Sequence, residues 1–478
     1  MSLLEEAKIV LIGHGIRPKR RLGQNFCIDS SLLERLVNYS NIDKDDTVLE
    51  IGAGLGFLTS LLATKAKEVL AVEADPSLIP ILEERFSKQS NVRVIRGDIL
   101  NLPHFNFQKI VANPPYNISS RLLATILRWD FKSVVLTLQI EFGEKLVAQA
   151  GEDNYGLLSI LAQYKNRIEL LDHVSRSAFY PPPKVESAVV RISPQPPSFQ
   201  LSDNEVFEKL VKSLFTQRRK KVRNALQHFL RSNAGTKKNE MRIIMQNLPG
   251  LDKRVMDLEA SVFGTLSDSI TKLYRGKRIE YGALAFYVFP EVYQPSDDTF
   301  LLADHLGAHP GLRVADIGSG CGILGILAAS KGCNVTAVDI NPFAIDCSRL
   351  NARLNGVSNR FEAKLGDLFQ DLGGEKFDLM IFNPPYLPQS DEEETGGWLE
   401  KAWQGGSSGK EVIDRFLKDG SMHLFTEGEI RMVLSSLSSP ESTILDLKAR
   451  GFEVTVLAKE KLDFEELTVL KARKSALG

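Results

Sequence analysis

The heptapeptide Glu50-Ile-Gly-Ala-Gly-Leu-Gly56 identifies the kind of fold this chain adopts, and a second version of it, Asp316-Ile-Gly-Ser-Gly-Cys-Gly322, lies in the other half. Each copy is followed at the same distance by an acidic residue, Glu73 or Asp339. A turn of closely spaced glycines between a strand and a helix lets the backbone approach a ligand. The repetition predicts two like ligand-binding modules in one chain.

Segments rich in β-branched residues alternate with amphipathic stretches around both turns, which predicts α/β domains with open, largely parallel sheets of Rossmann-like type. Between them, apolar residues recur at helical spacing and predict a small helical domain. A chain of 478 residues exceeds the usual size of one domain. The predicted domains are a catalytic domain over 1–195, a helical RNA-binding domain over 196–275 and a second catalytic domain over 276–478.

Charge and cysteine content narrow the classes of function. Residues 1–275 carry a net positive charge and the remainder a net negative charge of similar size, so only the first half is suited to a polyanion. The four cysteines form no CxxC pair and no HExxH motif occurs, so no metal site is expected. The acidic N-terminus and the lack of a long apolar run predict a soluble cytoplasmic protein without membrane association.

The glycine turn of each module and the acidic residues that follow it favour S-adenosylmethionine over NAD as the cofactor. A carboxylate at the end of the second strand can accept both ribose hydroxyls of an adenosine cofactor. Both copies read G-x-G-x-G, whereas the dinucleotide fingerprint requires G-x-G-x-x-G. An Asp after the third strand would accept from the adenine amino group, although an Asp in a surface turn is the commoner occurrence. The candidates are Gly52, Gly54, Glu73, Asp98, Gly318, Gly320, Asp339 and Asp367.

The tetrapeptide Asn-Pro-Pro-Tyr follows each nucleotide motif, at 113–116 and 383–386. The amino nitrogen of adenine or of a glutamine amide is a poor nucleophile because its lone pair is delocalised. An Asn carbonyl and the next backbone carbonyl can each accept one N–H and restore that lone pair, while the Tyr ring stacks on the planar substrate. The motif does not separate adenine from glutamine. The candidate catalytic residues are Asn113, Pro114, Tyr116, Asn383, Pro384 and Tyr386.

Basic residues cluster before the first sheet and on an amphipathic helix of the predicted helical domain, and they fit a phosphate backbone better than two solvated surfaces, given the positive charge of this half. Phe179 precedes a Pro-rich segment and could stack on an extruded base, the alternative being a core aromatic. The candidate RNA-binding residues are Arg17, Lys19, Arg20, Arg21, Arg218, Arg219, Lys220, Lys221 and Arg223.

Four segments make the first half, over about 15–273, resemble the KsgA-type ribosomal RNA adenine dimethyltransferases: Leu22-Gly-Gln-Asn-Phe26, Tyr155-Gly-Leu-Leu-Ser159, Ala178-Phe-Tyr-Pro-Pro-Pro-Lys-Val-Glu-Ser187 and Phe215-Thr-Gln-Arg-Arg-Lys220. The resemblance implies dimethylation of two adjacent adenines near the 3′ end of small-subunit ribosomal RNA, with Phe179 helping to cradle the base. It also implies that the cofactor is held by Gln24, Asn25, the backbone at Cys27, Gly52, Glu73, Asp98 and Asn113.

Three positions depart from that family, which usually has Leu at 114, Leu at 27 and Lys at 140 where this chain has Pro114, Cys27 and Ile140. Proline at 114 keeps the backbone carbonyl but removes a donor and restricts Asn113. The substitution bears on the choice between one and two methyl additions.

The second half, over about 283–472, resembles the HemK-like glutamine methyltransferases of the archaeal and eukaryotic branch through Val292-Tyr-Gln-Pro-Ser-Asp-Asp-Thr-Phe-Leu301 and the segment from Lys401 to Phe416. The resemblance implies methylation of the glutamine in the Gly-Gly-Gln loop of the translation termination factor, and a small zinc-binding activator subunit. By the same resemblance the cofactor-binding residues would be Thr299, Asp316, Gly318, Asp339, Asp367, Leu368 and Asn383.

These observations predict a bifunctional S-adenosylmethionine-dependent methyltransferase acting on ribosomal RNA and on a protein glutamine. Two alternatives remain. The second site could be a DNA adenine-N6 methyltransferase, because such enzymes share Asn-Pro-Pro-Tyr. The first half could be chiefly a ribosome-assembly factor, although the presence of all expected cofactor residues argues against lost activity.

Overall fold

The computed structural model describes residues 1–103, 105–387 and 397–474. Tertiary contacts divide the chain into two compact units, the first formed by Met1–Ala225 with Pro249–Ser267 and the second by Leu226–Leu248 with the residues from Asp268 onward. Each unit contains one seven-stranded sheet and one two-stranded ribbon.

The strands of the first unit are β1 (Phe26–Cys27), β2 (Thr47–Ile51), β3 (Glu68–Glu73), β4 (Val92–Arg96), β5 (Lys109–Ala112), β6 (Ser133–Gln139), β7 (Asn166–Val174), β8 (Phe179–Tyr180) and β9 (Ser187–Pro194). The sheet order is β4-β3-β2-β5-β6-β9-β7. Strands β2 to β6 run parallel, and β9 pairs antiparallel with both β6 and β7. Strands β1 and β8 form the ribbon.

The helices that accompany this sheet are α1 (Leu3–Gly13), α2 (Ser30–Tyr39), α3 (Phe57–Ala63), α4 (Ile79–Phe86), α5 (Ser119–Ile126), α6 (Ile140–Val147), α7 (Leu157–Tyr164) and α8 (Asn204–Phe215). They are followed by α9 (Val222–Ala234), α10 (Lys238–Ile244) and α11 (Ala260–Arg275). Helices α9 and α11 contribute residues to both units, whereas all of α10 belongs to the second.

The second unit contains β10 (Lys277–Tyr281), β11 (Leu284–Val288), β12 (Arg313–Ile317), β13 (Asn334–Asp339), β14 (Phe361–Leu365), β15 (Phe377–Phe382), β16 (Leu424–Ser435), β17 (Phe452–Lys461) and β18 (Glu466–Lys474). Its helices are α12 (Asp297–Asp304), α13 (Ile323–Ser330), α14 (Pro342–Leu354), α15 (Trp398–Trp403), α16 (Glu411–Gly420) and α17 (Pro440–Ala449). The sheet order is β14-β13-β12-β15-β16-β18-β17, and β10 pairs with β11 as a hairpin.

The two sheets share one topology. Numbered along the chain within each sheet, both have the strand order 3-2-1-4-5-7-6, with the seventh strand antiparallel to its neighbours. The order reverses between β2 and β5 in the first sheet and between β12 and β15 in the second. Ligands of open α/β sheets bind outside the carboxyl ends of the strands at such a reversal.

Apolar side chains on both faces of the central strands explain why these segments form buried sheets. In β2, Val48 packs in the core on one face and Leu49 in the core on the other, and both are fully buried. The second sheet follows the same rule at Val314 and Ala315 of β12. Strands that are apolar on both faces are typical of a parallel sheet covered by helices on each side.

The two Rossmann-like domains predicted from the sequence are confirmed, whereas the small helical domain predicted after the first stays a prediction. Tertiary contacts place α10 in the second unit, together with the second sheet. The domain boundary between residues 275 and 276 stays a prediction. Within the described part of the chain, no helix combines the length and apolarity needed to cross a bilayer. The same residues contain no group of three or more His, Cys, Asp or Glu side chains arranged to hold a metal ion.

Candidate active sites

Each glycine turn leaves the carboxyl end of the first strand of its sheet and ends at the start of a helix. Gly56 is the N-cap of α3 and Gly322 the N-cap of α13. All six glycines of the two turns have positive φ, a conformation that side chains with a Cβ rarely adopt. The φ angles are +80, +60 and +82° at Gly52, Gly54 and Gly56, and +67, +55 and +84° at Gly318, Gly320 and Gly322.

The acidic residue at the end of the second strand is fixed in the same way in both units. Glu73 Oε2 accepts from the backbone N–H of Gly54 at 2.9 Å, and its Oε1 accepts from Asp75 N–H at 2.7 Å. Asp339 Oδ2 accepts from Gly320 N–H at 2.7 Å, and its Oδ1 accepts from Asn341 N–H at 2.8 Å. Each carboxylate is therefore oriented beside its turn with lone pairs left for ribose hydroxyls.

Burial raises the pKa of the acids around both turns. Desolvation raises the pKa of Glu73 and of Asp339, although backbone N–H groups counteract it. The acids that precede the turns are fully buried, and desolvation raises the pKa of Glu50 to about 8 and that of Asp316 to about 7. Asp316 Oδ2 accepts from Gly325 N–H at 2.9 Å, so it supports the first turn of α13.

The first Asn-Pro-Pro-Tyr segment lies beside its glycine turn, and both line a cavity of about 180 Å³. Asn113 Nδ2 donates to the backbone carbonyl of Asn25 at 3.1 Å. Because a carbonyl can only accept, this contact fixes the amide so that Asn113 Oδ1 remains an acceptor for another partner. The predicted residues that line the cavity are Gln24, Asn25, Cys27, Gly52, Gly54, Glu73, Asp98, Asn113, Pro114 and Tyr116.

The aromatic candidates of the first unit differ in position. Tyr116 lines the cavity and its hydroxyl contacts Ser187 Oγ, while burial raises its pKa to about 12. Phe179 is only 2% exposed, pairs with Cys27 across the β1–β8 ribbon and packs in the core. It is not among the residues that line the cavity, so in this conformation it occupies the position of a core aromatic.

The second Asn-Pro-Pro-Tyr segment repeats the arrangement with different partners. Asn383 Nδ2 donates to Asp298 Oδ2 at 3.0 Å and to Thr299 Oγ1 at 3.1 Å. A carboxylate can only accept, so Asn383 Oδ1 again remains free to accept from a substrate. The cavity of about 410 Å³ is also lined by Thr299, Gly318, Gly320, Asp339, Asp367, Leu368, Pro384 and Tyr386. Desolvation raises the pKa of Tyr386.

The two acids after the third strands differ in their surroundings. Asp98 is exposed, and its carboxylate accepts from Leu100 N–H at 3.1 Å and Asn101 Nδ2 at 3.3 Å within its own turn. Asp367 forms an ion pair with Arg415, and both residues line the second cavity. A carboxylate has about four lone-pair sites, so both acids can still accept from the amino group of an adenine.

The basic candidates are not equivalent, and one prediction about them is wrong. Residues 218–221, predicted to lie on a helix, lie in the connection between α8 and α9, where Lys221 forms a β-bridge with Arg254. Arg223 does lie on a helix, in the first turn of α9. Lys19 Nζ forms an ion pair with the buried carboxylate of Asp75 at 2.6 Å, so its charge is already matched. The exposed members are Arg17, Arg21, Arg219, Lys220, Lys221 and Arg223.

The remaining basic side chains are partly engaged. Arg218 Nη2 donates to the Asp153 carbonyl at 2.8 Å. Lys221 and Arg223 both approach Asp252, at 3.7 and 3.4 Å. The side chain of Arg20 lies outside the described part of the structure. The free positive charge is therefore concentrated on fewer residues than the sequence indicates.

The sequence interpretation did not identify three residues that shape the sites. The Asp75 carboxylate accepts hydrogen bonds from Gln24 Nε2, at 2.7 Å, and from Lys19 Nζ, and these bonds fix the segment before β1. Asp298 holds Asn383, and Arg415 holds Asp367. Asp298 could have been noticed from its place beside Thr299, whereas the partners of Asp75 and Arg415 are distant in sequence.

A doubly wound sheet with a glycine turn, a ribose-binding acid and an Asn-Pro-Pro-Tyr segment at the strand reversal defines a Rossmann-like methyltransferase. The sequence model of the ribosomal RNA adenine dimethylase family matches residues 15–257. The methyltransferase small domain model matches residues 294–399. The chain belongs to the ribosomal RNA adenine dimethylase family and carries a second methyltransferase domain.

Individual proteins are similar to one half or the other. The probable ribosomal RNA small subunit methyltransferase A of Thermococcus gammatolerans is 41% identical over 252 residues, 52% of this chain and 88% of that protein. A dimethyladenosine transferase from Plasmodium falciparum is 28% identical with a TM-score of 0.48, covering 52% of this chain and 98% of that one. The E. cuniculi Mtq2–Trm112 complex, responsible for methylation of the eRF1 translation termination factor, is 26% identical with a TM-score of 0.30, covering 39% and 99%.

Both families are of the S-adenosylmethionine-dependent type, and the residues present fit that cofactor. In each unit the glycine backbone, the oriented carboxylate and the Asn line one cavity. In the second cavity, Ser319 Oγ is buried with no hydrogen-bond partner among the described residues, which marks a place for a polar ligand atom. The chain is therefore an S-adenosylmethionine-dependent methyltransferase, as the sequence predicts.

Proposed function

We propose that the chain is a bifunctional methyltransferase whose two activities both serve translation. The first half dimethylates N6 of two adjacent adenines near the 3′ end of small-subunit ribosomal RNA. The second half methylates the side-chain amide of the glutamine in the Gly-Gly-Gln loop of the translation termination factor. The observation that carries the proposal is the matched orientation of Asn113 and Asn383, whose amide nitrogens are both committed to acceptors.

The two Asn side chains perform the same task on two substrates. Bound S-adenosylmethionine supplies an electrophilic methyl group on its sulfonium. Asn113 Oδ1 and the carbonyl of Pro114 accept the two N–H bonds of the adenine amino group, which localises the nitrogen lone pair. Asn383 and Pro384 do the same for a glutamine amide. Because the proton can leave after transfer, preorganised acceptors take the place of a strong base.

The substrate of the first half follows from its family and its charge. The exposed cations Arg17, Arg21, Arg219 and Lys220 all lie in the first unit and can neutralise phosphates. Tyr116, held at its hydroxyl by Ser187, presents a ring on which an adenine can stack. The nine basic residues proposed from the sequence, and Phe179 as a base-cradling residue, remain proposals.

The substrate of the second half rests on its motifs and on its negative charge, which disfavours nucleic acid. Its cavity is larger than the first and is bordered by Trp398, Lys401 and Trp403, side chains suited to a peptide loop. A small zinc-binding activator subunit is part of the proposal. A chain that is fully active after purification alone would remove that partner.

The test is methyl transfer from labelled S-adenosylmethionine to immature small ribosomal subunits and to the termination factor. Asn113→Ala should abolish labelling of the subunits only, and Asn383→Ala labelling of the factor only, so each variant is the control for the other. Loss of both signals in one variant would contradict independent sites. A wild-type chain that fails to label one substrate, with the activator added, would overturn that assignment.

Two alternatives have their own discriminators. Asn-Pro-Pro-Tyr also fits a DNA adenine-N6 methyltransferase, which would give the second half salt-dependent DNA binding. An assembly factor in the first half would keep its function in Glu73→Ala, which removes the ribose acceptor. The measurement is maturation of small ribosomal subunits in cells that carry this variant. Normal maturation would support an assembly role that does not need methylation.

A further inference from the structure

Two asparagines of α14 and its C-cap hold the β10–β11 hairpin in the second unit. Asn355 Oδ1 accepts from Ala285 N–H at 3.1 Å, and its Nδ2 donates to the carbonyl of the same residue at 2.8 Å. Asn351 forms the same pair with Tyr287, at 2.8 Å for both bonds. One helical turn apart, the two amides pair with alternate residues along one edge of β11, as a neighbouring strand would.

Asn351 makes two contacts that Asn355 does not, and the weaker one, 3.7 Å from its Nδ2 to Cys347 Sγ, stays within α14. Its Nδ2 also donates to the backbone carbonyl of Cys321 at 2.9 Å. Cys321 belongs to the glycine turn of the second site and lines the cofactor cavity. Asn351 is fully buried, and its amide uses both N–H bonds and its oxygen. A side-chain amide is the group that can satisfy two carbonyls and one N–H at once.

The Cys321 carbonyl is a separate anchor of the turn. The N–H groups of Gly318 and Ser319 donate to Val338 O, and that of Gly320 donates to Asp339. Those bonds tie the first half of the turn to β13. The bond from Asn351 ties the second half to α14 through Cys321. The turn that must present its backbone to the cofactor is thus fixed from two directions.

The β10–β11 hairpin is itself hydrogen-bonded to α10 and to the residues just before it. Tyr287 hydroxyl lies 2.9 Å from Thr236 Oγ1 and 3.1 Å from Glu240 Oε2. Glu240 is buried and receives two bonds from Arg278, at 2.7 and 3.2 Å. Burial would raise the pKa of Glu240, but the Arg278 guanidinium outweighs it and lowers that pKa. The carboxylate is therefore charged and matched where it meets the hairpin.

We propose that Asn351 is a positioning residue for S-adenosylmethionine at the second site. It fixes the Cys321 carbonyl, and with it the glycine turn, against a hairpin that is itself bonded to α10. Asn351 does not touch the cofactor. Because the inference concerns cofactor binding, it holds whichever substrate the second site methylates.

The test compares Asn351→Ala with Asn355→Ala in the full chain. Each variant removes one amide from the hairpin edge, but only the first releases Cys321. S-adenosylmethionine binding at the second site is followed by tryptophan fluorescence, because Trp398 and Trp403 line that cavity. The remaining tryptophan, Trp129, packs on Phe107 in the first unit. The Kd should rise about tenfold for Asn351→Ala, the usual effect of losing one buried hydrogen bond, and less than about twofold for Asn355→Ala.

Thermal unfolding supplies the readout for a merely structural role. If both variants lower the midpoint of thermal unfolding similarly and raise the Kd for S-adenosylmethionine equally, Asn351 acts only by holding the hairpin, and the inference fails. Should the alanine variants not fold, Asn351→Asp and Asn355→Asp preserve the shape. The Asn351→Asp substitution would place a carboxylate oxygen against the Cys321 carbonyl, so only that variant should lose affinity; equal affinities would overturn the inference.

Discussion

At the level of single residues, the two sites reach one chemical result through different neighbours. Asn113 is oriented by a neutral backbone carbonyl, that of Asn25, whereas Asn383 is oriented by the buried carboxylate of Asp298. Identical tetrapeptides therefore depend on partners outside the tetrapeptide. The sequence predicts the Asn residues, but it does not reveal what holds their amides.

Replacement of Asp298 by alanine should slow methyl transfer at the second site by about 100-fold, because Asn383 could then rotate its amide away from the substrate. The first site should keep its rate. Asp297→Ala is the matched control, since Asp297 is the exposed neighbour on α12. Rates measured with saturating cofactor on both substrates give the answer, and equal losses in the two variants would contradict the role of Asp298.

Glu50 should make the stability of the chain depend on pH. Its pKa is about 8 when folded, against 4.5 for an exposed glutamate, because burial disfavours its charge. Between those values the folded state holds a proton that the unfolded state has released, so stability falls as pH rises from about 4.5 to about 8. Above that window the contribution no longer changes.

Glu50→Gln tests that dependence, because a neutral amide cannot ionise. The stability of the variant should not show the fall with rising pH that Glu50 causes in the wild type. Its melting temperature should therefore exceed that of the wild type most clearly near pH 8. Melting curves measured from about pH 5 to about pH 9 cover the window. Parallel curves for the two proteins would show that Glu50 titrates normally.

At the level of secondary-structure elements, the glycine turn of the second site requires glycine for two distinct reasons. Gly320 has a φ of +55° but has open space where a Cβ would lie. At Gly322, with a φ of +84°, an added Cβ would lie 2.8 Å from Ser348 Cβ and 3.2 Å from its Cα. The first needs glycine for conformation alone, and the second also for the close approach of α14.

Gly322→Ala should therefore destabilise the protein by about 2–4 kcal/mol, through strain and overpacking together. Gly320→Ala should cost only about 1–2 kcal/mol, since its penalty is conformational. Denaturant unfolding without cofactor measures the difference, so that any effect on binding does not contribute. Equal losses would mean that α14 moves aside for the new Cβ.

The sequence predicts most strands of the two sheets, but it misses others. Strand β12 lies in one of the apolar segments from which the sequence predicts parallel sheets, because a strand buried on both faces carries a strong local signal. Strands β7 and β9 and the β10–β11 hairpin were not predicted. The exposed faces of β7 and β10 carry polar residues, and β9 pairs with β6, a neighbour distant in sequence.

At the level of the whole molecule, the contacts assign α10 to the second sheet. The polar network of Glu240, Arg278 and Tyr287 accounts for this, because removal of α10 would leave a largely buried guanidinium without its carboxylate. Loss of one member of such a pair is costly. The functional boundary between the halves and the structural boundary therefore need not coincide.

A chain comprising residues 276–478 should unfold at a lower temperature than one comprising 226–478, because only the longer one contains Glu240 and Thr236. Tyr287→Phe in the full chain tests the same contact with a single atom removed. It should lower the free energy of unfolding by about 1–2 kcal/mol, because Thr236 and Glu240 would each lose a hydrogen-bond partner. Thermal unfolding of all three proteins measures the effect. Equal melting temperatures for the two fragments would contradict the assignment of α10 to the second unit.

The sequence by itself determined the number of modules, their fold class and the cofactor, and it predicted the two Asn residues that we propose to be catalytic. These follow from local patterns, since glycine spacing, strand apolarity and Asn-Pro-Pro-Tyr each act within a few residues. Only the tertiary structure decided that Asp298 orients Asn383, that Asp75 neutralises Lys19 and that Phe179 is buried. Such contacts join residues far apart in sequence, and they form only when packing brings the strands and helices together.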